Sequence, residues 1–308
     1  MKTNQLGRFL LVAIAIGTFT GCNSTPQFSA TRDFEKIVPV NSKVDVIVET
    51  FNGSIEVTPC DQSEIQVLAH IKAYGSTQEE ADETLESLIP ELDTTAEAIR
   101  IQCKKRFSPF RFSDSVSLEL KVPASWPLQL STSNGTITTK ESLAPVSIDT
   151  SNGKVNVVRS AGPMRISTSN GKITIVDSTG NIQAKSSNGT IQLTHCILEG
   201  ESKLDTSNGS IEVSFIAESP MRLDAKTSNG TIRYDEKSVE LKKKSKTHIS
   251  GVWLGRSTSQ ATPSTSLELE TSNGSITLKS AGGETTPTSE TPSSETPSSE
   301  KPNNTIGL

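Results

Sequence analysis

The chain has 308 residues, 32% of them hydrophobic but only 4% aromatic, and a net charge of −5. Such a chain can bury a thin core of small β-branched residues, which weighs against a thick enzyme core, and its charge weighs against a nucleic-acid partner. Beyond the N-terminus no run of about 18 apolar residues occurs, so no transmembrane span is expected there.

Lys2 and Arg8 precede the apolar run Phe9 to Ile16, and small residues then lead to Cys22. This is the three-part plan of a secretory signal over residues 1–21. The ending Phe19-Thr20-Gly21-Cys22 resembles a bacterial lipobox, with Phe19 where an aliphatic residue is usual. That resemblance implies cleavage before Cys22 and a lipid on its thiol; two or more acyl chains would anchor the protein stably in a membrane. Asn23 after the cysteine implies, by likeness to sorted lipoproteins, the outer membrane where the host has one. The alternative is a plain signal peptide cleaved nearby, with Cys22 a stray thiol. Residues 22–33 then read as lipid anchor and polar tether. Cys60, Cys103 and Cys196 remain in the exported part. Cys60 and Cys103 each follow a predicted strand of one region, so they are the pair that an oxidising compartment would allow to bridge. Three separate buried thiols are the alternative, and none has zinc-ligand spacing.

Residues 34–125 read as an N-terminal capping region. Val44, Val46 and Val48 lead into Asn52-Gly53-Ser54-Ile55, a first copy of a motif that next recurs 82 residues later, so a segment has been inserted. Glu64 to Ala73 reads as a strand, and Ser76-Thr77-Gln78-Glu79 as a capping box opening a helix that Pro90 closes. Its apolar stripe is Ala81, Leu85 and Leu88, and its acidic face reads as solvated. Strands near Ala98 to Cys103 and Ser115 to Val122 complete the region, which would cover the open end of a solenoid. Between them, Lys104 to Phe112 is the one basic and aromatic cluster. It reads as a hairpin tip whose phenylalanines pack back on the body, or as a contact for an anionic surface.

The segment Val122-Pro123-Ala124-Ser125-Trp126-Pro127, followed by Asn134-Gly135-Thr136-Ile137, resembles the bacterial putative-adhesin domain family, whose members enter recurrent Asn-Gly-x-Ile repeats through a Val-x-x-Pro segment. The resemblance covers about Phe34 to Lys279. It implies an extracytoplasmic β-solenoid and brings no catalytic residues with it.

The repeats occupy residues 126–280. Asparagines of the Asn-Gly motif fall at 134, 152, 170, 188, 208 and 229, with a last copy at 273, giving spacings of 18, 18, 18, 20, 21 and 44. Around each asparagine apolar residues alternate: Val146, Ile148 and Thr150 before Asn152, then Val155 and Val157 after it. Period two makes each side a half-buried strand, with Asp149, Arg165, Lys185, Asp205 and Glu212 facing water. Ile173 and Ile191 should point inward, Thr174 and Gln192 outward. Gly153, Gly162, Gly171, Gly180 and Gly189 lie nine residues apart, so each coil has two strands and two corners, at which glycine would supply positive φ. The fold class is therefore all-β. The favoured architecture is a two-sheet parallel β-solenoid with 18–21-residue coils and a small α+β cap, in which the asparagines stack from coil to coil. An antiparallel β-meander of Asn-Gly hairpins is the rival.

Asp235 to Ser266 breaks the rhythm and reads as a missing or degenerate coil replaced by a loop, with Leu241 to Lys246 a solvated basic run and Trp253 a plug over the last coil or, alternatively, an exposed binding aromatic. Residues 281–308 read as a low-complexity tail rich in Pro, Ser, Thr and Glu. His70, His195 and His248 sit in no nucleophile motif, and the outward positions form no repeated acidic row. No catalytic, metal-binding or cofactor-binding residue is therefore assigned. Two functions remain: an envelope binding module for a surface carbohydrate, wall polymer or protein, or a structural, envelope-stress-related lipoprotein without a dedicated ligand. Either would be exported, held to a membrane through its N-terminal lipid, and free of nucleic acid.

Overall fold

In a computed structural model, residues 28–280 are described apart from 41, 62, 105–113, 217–219 and 255–262. The N-terminal strands are β1 (Phe28–Pro39), β2 (Asp45–Asn52), β3 (Ile55–Cys60) and β4 (Glu64–Gly75); helix α1 (Gln78–Ser87) precedes β5 (Glu91–Thr94), β6 (Ala98–Gln102) and β7 (Ser115–Pro123). Five strand pairs then follow in register with the repeats: β8 and β9 (Leu128–Asn134, Ile137–Lys140), β10 and β11 (Val146–Thr150, Val155–Val158), and β12 and β13 (Met164–Thr168, Ile173–Val176). After the short β14 (Thr179–Gly180) come β15 and β16 (Ile182–Ser186, Ile191–Leu198), then β17 and β18 (Glu201–Thr206, Ile211–Phe215). The last elements are β19 and β20 (Met221–Thr227, Ile232–Arg233), the hairpin β21 and β22 (Val239–Lys244, His248–Trp253), and β23 and β24 (Thr265–Thr271, Ile276–Ser280).

Each Asn-Gly turns the chain from one sheet to the other, so the strand before it joins sheet B and the strand after it joins sheet A. Successive coils pair in parallel, residue for residue: Ile148 with Leu130 and Ile166, Val155 with Ile137 and Ile173. The fold is the expected two-sheet parallel solenoid, and the antiparallel meander is excluded. Apolar residues at the predicted offsets line one continuous core; Ile173 and Ile191 are fully buried, while Thr174 and Gln192 lie on the outer side. A stack this thin has few large side chains to bury, which is how so low an aromatic content suffices.

Spatial order departs from chain order at both ends. Sheet B runs β21-β22-β19-β23-β17-β15-β12-β10-β8-β2-β6-β5, and sheet A runs β1-β4-β7-β3-β9-β11-β13-β16-β18-β24-β20. Strands β6 and β7 are thus a coil of their own, lying outside the first Asn-Gly coil rather than after it. At the far end the coil of Asn273 slots between those of Asn208 and Asn229. The 44-residue interval is therefore no degenerate coil: the chain makes the outermost coil first, extends sheet B with the antiparallel hairpin β21-β22, and returns to fill the gap.

The capping region differs from the sequence reading in two further places. Strand β1 begins at Phe28, inside the segment read as a tether, and pairs antiparallel with β4 along its whole length. The helix N-cap is Thr77, one residue later than expected: its hydroxyl accepts from the Glu80 N–H, and Glu80 reaches back to the Ser76 N–H. Ala81, Leu85 and Leu88 are buried as predicted, yet they join the same core as the repeats, so residues 34–125 and 126–280 share one interior.

Candidate binding face

The Asn-Gly corners build three columns along the stack. The first is a ladder of side-chain amides in which Asn134 donates to Asn52, Asn152 to Asn134, Asn170 to Asn152, Asn188 to Asn170, Asn208 to Asn188, Asn273 to Asn208 and Asn229 to Asn273, each at 2.6–2.9 Å. Asn52 ends the ladder by donating to the Asp114 carbonyl. The second column is made of hydroxyls two residues earlier: Thr132, Thr168, Ser186, Thr206, Thr271 and Thr227 each donate to the glycine carbonyl of the neighbouring coil at 2.8–3.4 Å. Thr150 Oγ1 breaks that series, being buried without a partner among the described residues. The third column is the glycine itself, and here the expected reason fails. Gly153, Gly171 and Gly189 are not at positive φ. A Cβ on Gly153 would drive into the carbonyl oxygen of Gly135, and one on Gly171 into that of Gly153. Glycine is required there by the approach of stacked backbones, whereas Gly162 (φ 112) and Gly180 (φ 143) do take the left-handed conformation.

The second corner of each coil carries a device that sequence reasoning missed. Glu141, Arg159, Asp177 and His195, spaced 18 apart, all adopt positive φ of 48–54°. Their side chains pair along the column: Arg159 with Glu141, and His195 Nδ1 lies 3.3 Å from Asp177. Beside each is a buried Ser142, Ser160, Ser178 or Cys196. The Ser142 N–H donates to Ser160 Oγ and the Ser160 N–H to Ser178 Oγ. Aligning the repeats shows the Ser-Ser-Ser-Cys column. It does not show the left-handed backbone, because Glu and Arg are not residues that ordinarily signal it.

The outer face of sheet B is where charge is distributed unevenly. Register places Gln129, Ser147, Arg165, Gln183 and Lys203 in one row and Ser131, Asp149, Ser167, Lys185 and Asp205 in the next. Lys185 is 3.5 Å from Asp205 and Lys203 is 3.0 Å from Glu268, so the farther coils neutralise themselves. Arg165 and Asp149 are exposed and make no ion pair or side-chain hydrogen bond among the described residues. Arg165 and Gln183 form the ridge between two shallow troughs. The larger, of about 660 Å³, is rimmed by Pro127, Pro145 and Pro163, and the smaller reaches Lys185 and Asp205. Sheet A presents a plainer row of Thr138, Asn156, Thr174 and Gln192, of which Asn156 bonds to Thr138.

The remaining sequence-predicted residues scatter. Cys22 lies outside the described residues, as does the basic and aromatic cluster except Lys104, which pairs with Glu91. Cys60 ends a sheet A strand with its thiol donating to the Glu64 carbonyl, while Cys103 is a buried thiol just past a sheet B strand, so the two are not bridged; Cys196 is a buried thiol too. Burial pushes the Cys103 thiol up to about 12 and that of Cys196 up to about 11, which leaves both poor nucleophiles. His70 Nδ1 donates to the Asp33 carboxylate at 2.8 Å, and the ring lies 3.4 Å from Glu119; its pKa is raised, chiefly by the Asp33 hydrogen bond. Trp253 is buried against Phe215 with ring centroids 4.7 Å apart, the expected plug. Lys242, Lys243 and Lys246 are exposed on or beside the edge strand β21, where lysines discourage further pairing. Among the described residues no group of three His, Cys, Asp or Glu side chains could hold a metal ion, and no helix is long and apolar enough to cross a membrane.

Three solved structures are similar to the chain at low identity. A putative cell adhesion protein from Clostridium sporogenes is 14% identical, with 81% of this chain and 99% of that one covered at a TM-score of 0.36. A putative adhesin from Parabacteroides merdae is 10% identical over 80% and 95% of the two chains, at a TM-score of 0.27. A putative lipid binding protein from Parabacteroides distasonis is 8% identical over 81% and 94%, at a TM-score of 0.23. No curated protein matches the sequence. The Toastrack DUF4097 family model matches residues 37–279, nearly the whole run from β1 to β24, and the chain belongs to that family.

Proposed function

We propose that this protein is a non-enzymatic binding module of the bacterial cell envelope, held to a membrane through a lipid on Cys22, that presents an outer face of its solenoid to a partner. The observation that carries the reading is the outer face of β8, β10, β12 and β15. Short polar side chains stand there in register over consecutive coils, on a backbone stiffened by the corner columns, and two opposite charges remain unused by the protein itself. Rigid, pre-ordered polar groups bind with little entropy loss, which is what a recognition surface needs. A second reading, a spacer without a ligand, is favoured by the self-neutralised coils around Lys185 and Lys203.

Two measurements test the proposal. Cys22→Ser should move the protein from the membrane to the soluble fraction, and an unchanged distribution would remove the anchor. The full chain released by that substitution should bind isolated envelope polymer in a pull-down. Failure to bind any envelope fraction would leave the spacer.

A further inference from the structure

We infer that the ridge and troughs around Arg165 form a binding site for an acidic polysaccharide, with the Arg165 guanidinium taking a sugar carboxylate. This rests on the binding-module reading and names its ligand class and site. Arg165 stands in the middle of a row, Gln129-Ser147-Arg165-Gln183-Lys203, and its neighbours on both sides, Ser147 and Gln183, are neutral hydrogen-bonding side chains. It is exposed and without an ion pair among the described residues, whereas Lys185 and Lys203 beside it each have a carboxylate. A planar guanidinium free of internal partners is suited to bidentate binding of a carboxylate.

Two further features select the ligand. Coils repeat at about 4.8 Å, so amide and hydroxyl groups recur along the row at a spacing comparable to the advance of one pyranose residue in an extended chain. That favours a linear polymer lying along the stack over a compact ligand. Among the described residues the face carries no exposed aromatic on which a neutral sugar ring could stack, and its rim of Pro127, Pro145 and Pro163 offers only modest apolar contact. Affinity must then come from charge and hydrogen bonds, which points to an acidic rather than a neutral glycan. Asp149, diagonal to Arg165, repels a carboxylate placed against it and so weakens, without excluding, the binding of a polyuronate whose nearer carboxylates turn toward Arg165.

Polygalacturonate serves as the probe, with dextran as the neutral control and inorganic polyphosphate as the source of anionic charge without sugar. The full-length Cys22→Ser protein should bind polygalacturonate, with affinity falling as salt rises. Arg165→Gln should weaken that binding at least about ten-fold, and Arg165→Lys should restore only part of it. Asp149→Asn should strengthen it, and Lys172→Gln, on the other side of the Asn-Gly corner, should leave it unchanged. Both trough positions are exposed, so the variants should melt with the parent. Equal binding by Arg165→Gln would overturn the site while leaving a binding module in place. Preference for dextran, or polyphosphate binding as tight as polygalacturonate, would overturn the ligand class. Binding to isolated envelope polymer without any to polygalacturonate would overturn this inference alone, and binding to neither would overturn the module reading too.

Discussion

From Leu128 to Phe215 each coil lies on the one made just before it, while at both ends the chain builds an outer coil and then fills the place inside it, or the reverse. In the middle, stacked residues are 18 to 20 apart in sequence; at the far end Asn273 meets Asn208 across 65 residues and Asn229 across 44. The contrast teaches how an open-ended stack secures its termini. An in-order solenoid would leave its first and last coils with one neighbour each and a free backbone edge, where fraying concentrates. Here the first coil (β2, β3) is held between β6-β7 and β8-β9, and the last (β23, β24) between β17-β18 and β19-β20. Antiparallel strands then close three of the four outermost positions, β4 and β1 on β7, β5 on β6, and the hairpin β22-β21 on β19, while the two-residue β20 ends sheet A.

Deleting residues 265–308 should have the largest effect. Removing the inner coil should leave β19 to β22 without the strand that joins them to the stack, so residues 221–253 should lose hydrogen-exchange protection together. Coils of Asn134 to Asn188 should keep theirs; persistence of protection over 221–253 would show that the ends do not depend on interposition.

Within the middle, Ile173→Asp and Ile191→Asp should each cost about 4 kcal/mol or more by burying an unpaired charge, against a near-zero cost for Thr174→Asp and Gln192→Asp. Chemical denaturation of the four variants reads this directly. Glycines separate the two corners next. Gly171→Ala should destabilise by about 3 kcal/mol, since its methyl meets the Gly153 carbonyl, and Gly162→Ala by about 1–2 kcal/mol through left-handed strain alone. Equal losses would mean that backbone approach is not what selects glycine at Asn-Gly. Asn170→Asp removes the donor to Asn152 and should cost about 1 kcal/mol, whereas Asn229, outermost in the ladder, accepts from no further coil. Alanine at 170 should therefore cost more than alanine at 229, as two amide bonds are lost rather than one.

The smallest effect belongs to the N-terminal end. Asp33, with Glu119 nearby, raises the pKa of His70 above 6.5. The stabilisation is thus complete below the unfolded value and is lost as pH rises through the raised folded value. The difference in melting temperature between the parent and His70→Gln should shrink from pH 6 to pH 8, and a widening difference would contradict the assignment.

The residues by themselves determined the parts of this protein that depend on the next coil only. Alternation around each Asn-Gly assigns Ile173 inward and Thr174 outward whatever the fold of the ends, and near-identity of successive corners implies that asparagines stack, because a hairpin would not need the same side chain each time. The plug at Trp253 and the apolar stripe of α1 were legible for the same local reason. Tertiary structure decided what depends on distant partners. Which coil neighbours Asn229 is a matter of 44 residues of intervening chain, and the motif is the same whichever coil it meets. Glycine at the Asn-Gly corner was legible as a residue but not as a cause, since turn chemistry and backbone approach demand the same side chain. The left-handed column from Glu141 to His195 is held by hydrogen bonds to adjacent coils, so nothing in those four residues alone announces it. Arg165 was legible as an outward charge, but its lack of a partner depends on which side chains the register places around it, and only the stacked sheet supplies that register.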